Sequence, residues 1–98
     1  MQFVQGYYIT AELKVKNQER IQEAKESLIH LCKKTLEEPG CTVFALHHDA
    51  KQPTRFLLWE RFEDEVAFKL HFEASHTKEY MAKNLTEVVQ YFQTDIAL

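Results

Sequence analysis

Residues 41–62 read CTVFALHHDAKQPTRFLLWERF, and how this stretch is parsed decides the fold. Cys41 to His48 and Arg55 to Phe62 are two runs of mostly apolar, β-forming residues. Between them, Asp49-Ala50-Lys51-Gln52-Pro53-Thr54 is a polar connection containing the second proline. Two strands joined this way read as a hairpin with a longer loop. The chain therefore places two consecutive strands at its centre, and the flanking elements must be arranged around that pair.

Upstream, Glu38-Pro39-Gly40 ends a helix, because proline bars the residue before it from helical geometry and glycine supplies a turn. Reading back, Leu36, Cys32, Leu31, Leu28, Ala24 and Ile21 recur at helical spacings, giving one apolar stripe. Asn17 offers an N-cap, with Gln18 and Glu19 in the first turn. Before it, residues 4–15 (VQGYYITAELKV) alternate, with Tyr7, Ile9, Ala11, Leu13 and Val15 on one dry side of a strand. Downstream of the hairpin, Glu63 and Asp64 can cap a short helix turning Val66, Ala67, Leu70 and Phe72 or Phe68 inward. Ala74-Ser75 interrupts it, and Ser75 can cap a third helix running through Tyr80, Met81 and Leu85. Residues 88–96 (VVQYFQTDI) return to β-type composition. The order is β-α-β-β-α-β with the second helix split in two. This predicts the ferredoxin-like α+β class, an antiparallel four-stranded sheet with helices on one face.

The 98 residues form a single domain, 1–98, without repeat, linker or low-complexity tract. Apolar residues make up 45% and charged residues 28%, an ordinary globular mixture. A net charge of −3 with scattered lysines argues against a nucleic-acid partner, which needs a clustered basic face. No apolar run approaches membrane-spanning length, and MQFVQGYYITAEL lacks the basic-then-apolar order of a leader, so a cytoplasmic protein without membrane contact is expected. Cys32 and Cys41 are too irregularly placed for a disulfide framework and read as small buried hydrophobes. In the three later strands, residues of both alternations are apolar: Val43, Ala45, Leu57, Trp59 and Tyr91, but also Phe44, Leu46, Phe56, Leu58 and Phe92. A sheet dry on both faces needs a second cover, and a second copy packed sheet against sheet supplies it, so a homodimer is expected.

Within LHFEASHTKEY, residues 70–80, His71 and His76 stand five apart. On one continuous helix that spacing turns the second ring roughly 140° from the first, which rules out a helical metal pair. The break at Ala74-Ser75 removes this constraint, and both rings can face one cleft. The plainer alternative makes His76 a first-turn surface residue and His71 a half-buried ring. Glu60 lies in the middle of an apolar strand, where a charge must be paired or reach water. Its candidate partners are Arg55, Arg61, Lys69 or one of the two histidines. Trp59 reads as core, interface or a flat pocket wall. His47 and His48 are adjacent on a strand and point to opposite faces, so no metal site is expected there. With only two glycines, Gly6 and Gly40, there is no phosphate-cradling loop, and neither cysteine nor any serine has an activating motif.

WERFEDEVAFKLHFEASHTKEYMAK, residues 59–83, resembles the signature of the antibiotic biosynthesis monooxygenase superfamily. The positions that carry the resemblance are Trp59, Glu60, Phe62, Asp64, Ala67, His71, Ser75 and His76, and the order of elements agrees along nearly the whole chain. The resemblance implies a dimeric α+β barrel of ferredoxin-like domains, as in quinol monooxygenases, autoinducer-2-processing enzymes and haem-degrading proteins. It also implies chemistry without metal, flavin or other cofactor, in which a deprotonated phenol or quinol passes electrons to O₂. On that basis His71 or His76 is the expected base, Glu60 its orienter and Trp59 a pocket wall, with Phe44, Phe62 and Tyr80 as further substrate contacts. The haem-degrading branch carries an asparagine on the first strand, and GYYITAEL has none. Two alternatives use the same framework: an isomerase of a small (phospho)hydroxy-carbonyl compound of the autoinducer-2 type, and a non-catalytic dimeric binding domain.

Overall fold

The computed structural model describes residues 4–97. Met1 to Phe3, which begin the N-terminal stretch read above, and Leu98 therefore lie outside the described part. Strand β1 (Tyr7–Val15) leads through a 3-10 turn (Gln18–Arg20) into helix α1 (Ile21–Thr35). Strands β2 (Cys41–His48) and β3 (Arg55–Phe62) form the hairpin; helices α2 (Glu65–His71) and α3 (Ser75–Ala82) follow, then β4 (Thr86–Thr94). The strands are ordered β2-β3-β1-β4 and every neighbouring pair is antiparallel, giving an open ferredoxin-like sheet. Among the described residues no helix is long and apolar enough to cross a membrane.

The alternation in β1 decides which face is dry. Ile9, Ala11, Leu13 and Val15 are buried and meet Ala24, Leu28, Leu31 and Cys32 of α1. Phe56, Leu58 and Phe62 of β3 complete the core from the same face. Both cysteines are buried and free. The Asn17 side chain accepts from the Glu19 backbone N–H, capping the 3-10 turn that starts α1. Leu36, expected on the buried stripe, instead follows the helix end and is exposed.

The second half departs from the expected helix faces. Asp64 Oδ1 accepts from the Ala67 N–H at 2.8 Å and starts α2. The inward residues are Ala67, Phe68 and His71, whereas Val66 and Leu70 point outward. Seven residues make barely two turns, so one face is all the sheet can cover, and apolar side chains remain outside it. Ser75 does not cap α3; Ala74 occupies the N-cap position without a side-chain bond, and Ser75 is the first helical residue. Gly40 lets α2 approach the start of β2, since a Cβ there would stand 2.3 Å from Ala67 Cβ.

Strand β4 begins at Thr86, two residues before the expected start, and is exposed along nearly all its length. Its register slips between Glu12 and Leu13 of β1, leaving Val89 without a cross-strand partner. This places Val88 and Tyr91 opposite Leu13 and Ala11, on the helix-bearing face. The short helices do not close over that part of the sheet, and a cavity of about 600 Å³ remains between them.

Candidate active site

The cavity is walled by the inner faces of β1 and β4, by α1, and by α2 and α3. Its lining is mainly apolar, with Leu28, Leu31, Phe44, Leu58, Phe68 and Leu85 deep in it and Met81, Val88 and Tyr91 towards solvent. Glu60, His71, Thr77, Tyr80, Asn84 and Thr86 are the polar residues of the wall. A pocket of this size and composition suits a small, largely apolar ligand oriented by a few polar groups.

His71 is the last residue of α2 and only 4% exposed, packed among Phe44, Phe62 and Phe72 with ring centroids 5.2–5.5 Å away. His76 lies in the first turn of α3. The chain bends between the two helices, and the imidazole centroids come within 6.2 Å. Both rings meet one oxygen of Glu38. His71 Nδ1 is 2.8 Å and His76 Nε2 2.5 Å from Glu38 Oε2. A carboxylate accepts, so these two ring nitrogens carry the hydrogens. His71 is thereby held with Nε2 as its acceptor nitrogen, and no protein group among the described residues occupies that nitrogen. Thr77 Oγ1 stands 3.3 Å from His71 Nδ1 on its other side. Burial lowers the pKa of His71, opposed by the hydrogen bond and charge of Glu38 and reinforced by His76.

Glu38 was not among the expected site residues, because in the sequence it reads only as part of a helix stop. The turn that follows α1 positions it: its N–H donates to Thr35 O, and its own carbonyl accepts from Cys41 N–H. Pro39 and Gly40 then lead into β2, leaving the carboxylate against the α2–α3 corner. No local pattern distinguishes it from neighbouring Glu37, so only the tertiary contact identifies it.

Glu60, expected to orient the histidines, instead sits on the inner face of β3 without a hydrogen bond to either ring. It is 8% exposed. Burial, followed by the charge of Glu38, pushes its carboxyl up to about 8, so at neutral pH it is mostly the protonated acid. Tyr80 and Phe44 line the cavity. The Tyr80 hydroxyl is engaged with Thr86 Oγ1, and burial raises its pKa above the ordinary tyrosine value. Trp59 does not share this cavity. Strand alternation places it on the opposite face of the sheet from Glu60, where it is 52% exposed and lies against His47 with centroids 4.3 Å apart. There it borders a hollow of about 130 Å³ with Tyr8, Thr10 and Val43. Phe62 is fully buried and supports His71 without lining the cavity.

The chain and its fold have counterparts among known proteins. The chain is 31% identical over 90 residues to the uncharacterized protein YjcS of Bacillus subtilis (strain 168), an alignment covering 92% of this chain and 86% of that protein. The solved structure of YjcS superposes with a TM-score of 0.85, over 93% of this chain and 98% of the other. Protein PA3566 of Pseudomonas aeruginosa shares the fold with a TM-score of 0.84 at 17% identity, covering 99% and 100% of the two chains. A crystal structure described as an antibiotic biosynthesis monooxygenase shares it at 0.75 and 19% identity, covering 93% and 97%. The family model described as antibiotic biosynthesis monooxygenase matches residues 6–83, which span β1 through α3 and contain Glu38, Glu60, His71 and His76. The chain belongs to the antibiotic biosynthesis monooxygenase family.

Proposed function

We propose that this chain is a cofactor-independent monooxygenase that oxidises a small quinol- or phenol-type substrate with O₂ in the 600 Å³ cavity. The observation that carries this reading is the hydrogen bond from His71 to Glu38 at the edge of a mainly apolar pocket whose wall also holds the buried Glu60. Glu38 holds the Nδ1–H, so Nε2 of His71 accepts the phenolic proton. The aromatic and aliphatic walls hold the planar anion and exclude water. Glu60, as a neutral acid, donates to a second substrate oxygen and favours the charge that builds there. The anion gives an electron to O₂, the two radicals combine at a ring carbon, and loss of water leaves a hydroxyquinone. One oxygen atom enters the ring and the other leaves as water, and the substrate supplies all four electrons.

The test is oxygen uptake with menadiol. His71→Ala should lower the rate by about 10²- to 10⁴-fold, the usual range for losing a positioned base. Equal turnover by wild type and a His71→Ala/His76→Ala double variant refutes the reading. Proton exchange into a hydroxy-carbonyl substrate under argon, with no oxygen uptake, would assign the same dyad to an isomerase instead.

The working unit we propose is a homodimer packed through the outer sheet face. Trp59 and Phe92 are exposed there, beside the half-buried Val43, Ala45 and Thr10. A face of this kind is poorly suited to water and can be self-complementary about a two-fold axis. Light scattering should give twice the chain mass at micromolar concentration, and Trp59→Lys should halve it. A monomeric wild type refutes the dimer.

A further inference from the structure

The convergence of two imidazoles on one carboxylate oxygen has a use beyond proton transfer. Glu38 Oε2, His71 Nδ1 and His76 Nε2 all lie within 4.8 Å of one another, each contributed by a different element. We propose that these three atoms form a binding site for one divalent transition-metal ion of the zinc class.

The donor set fits that class. Two imidazole nitrogens and one carboxylate oxygen suit zinc and its first-row neighbours, whereas calcium and magnesium favour all-oxygen shells. Three protein ligands leave a further coordination position for water or a small molecule. Ligand atoms on a tetrahedral ion with bonds of about 2.0–2.1 Å are roughly 3.3 Å apart. The present contacts of 2.8 and 2.5 Å would therefore open by several tenths of an ångström, while the two ring nitrogens, within 4.8 Å of each other, would draw together. Entry from solvent is available, since the side chains of Glu38 and His76 are 15% and 16% exposed while His71 is closed in behind them. The ring of His71 is also held in place, with Phe44 and Phe62 packed against it at centroid distances of 5.3 and 5.5 Å.

Occupancy and the proposed base are mutually exclusive. An ion on Nδ1 of His71 displaces the hydrogen that Glu38 now accepts, and the neutral ring must then carry its hydrogen on Nε2. The ring nitrogen not engaged by Glu38 becomes a donor in place of an acceptor. This consequence rests on the proposed oxidation, but the metal site itself does not.

The experiment measures binding and leaves activity aside. In equilibrium dialysis against Zn²⁺ at micromolar concentration, the wild-type protein should take up about one equivalent. Glu38→Gln, which keeps shape and a hydrogen-bond acceptor, and His76→Ala should weaken uptake by more than the roughly 10–100-fold that loss of an outer partner costs. His48→Ala, on the sheet, should bind as wild type. Because a variant can fail to fold, long-range ¹H–¹⁵N NMR of the intact wild-type protein gives a second reading. Zinc should shift His71 Nδ1 and His76 Nε2, leave His30, His47 and His48 unmoved, and reverse with EDTA. No uptake, uptake unaffected by Glu38→Gln in a folded protein, or shifts confined to the other three histidines each overturns the proposal.

Discussion

Replacing Glu60 with glutamine should raise stability relative to the wild type progressively as the pH rises. The wild-type carboxyl is raised from 4.5 to about 8 by burial and by the charge of Glu38. In the unfolded chain it ionises near its ordinary value, so between these limits unfolding releases a proton. A carboxyl whose folded pKa is raised contributes stability that is fully present below about pH 4.5 and is lost by about pH 8. Each pH unit across the window is worth about 1.4 kcal/mol, so at pH 7 the wild type has lost about 3 kcal/mol relative to acid conditions. For a domain whose total stability is roughly 5–15 kcal/mol, that is a large share. Glutamine is nearly isosteric and does not titrate, so Glu60→Gln escapes this loss. Any cost of burying the amide without a partner is the same at every pH and cancels in the trend. The assay is urea unfolding of both proteins at pH 5, 6, 7 and 8. The stability difference, variant minus wild type, should grow by about 3–4 kcal/mol between pH 5 and pH 8. A difference that stays flat within about 0.5 kcal/mol would show that Glu60 titrates normally when folded, and the neutral acid in the cavity would be lost with it.

Other consequences are quicker to check. Gly40→Ala forces a methyl group against Ala67 and should destabilise by about 1–3 kcal/mol in urea unfolding; an unchanged midpoint would mean that α2 can move away from the turn. Asp64→Ala removes the side-chain bond to the Ala67 N–H and should cost about 1 kcal/mol by the same measurement. Burial pushes the Cys32 thiol up to about 11 and the Cys41 thiol up to about 12, so a thiol-specific reagent at pH 7 should label neither in the folded protein. Both should react once urea unfolds it, and rapid labelling of the native form would contradict their burial.

Local periodicity carried the architecture. The alternation of Ile9, Ala11, Leu13 and Val15, the helical stripe from Ala24 to Cys32 and the Pro39-Gly40 stop each depend only on near neighbours along the chain. The break at Ala74-Ser75 was equally legible and correctly freed His71 and His76 from their five-residue spacing. The faces of α2 were not legible: Val66 and Leu70 have the apolar character of inward residues, but a helix this short can turn only one side to the sheet. Trp59 and Glu60 illustrate a different limit. Adjacent strand residues face opposite sides, so of the two motif residues only Glu60 lines the large cavity, while Trp59 is exposed on the outer sheet face.

The identity of the acid was decided only in three dimensions. Glu38 is 33 positions before His71 and 38 before His76, in a turn whose sequence explains the end of a helix and nothing more. Helix and strand propensities report contacts between residues a few positions apart, whereas a carboxylate shared by two distant rings is a contact between elements. The sequence by itself determined the strands, the long helix and the split in the second helix, and left open whether the two histidines meet. Packing of α1 and the α2–α3 pair on one sheet face decided which carboxylate reaches the two histidines, and it left Glu60 in the cavity wall without a bond to either ring.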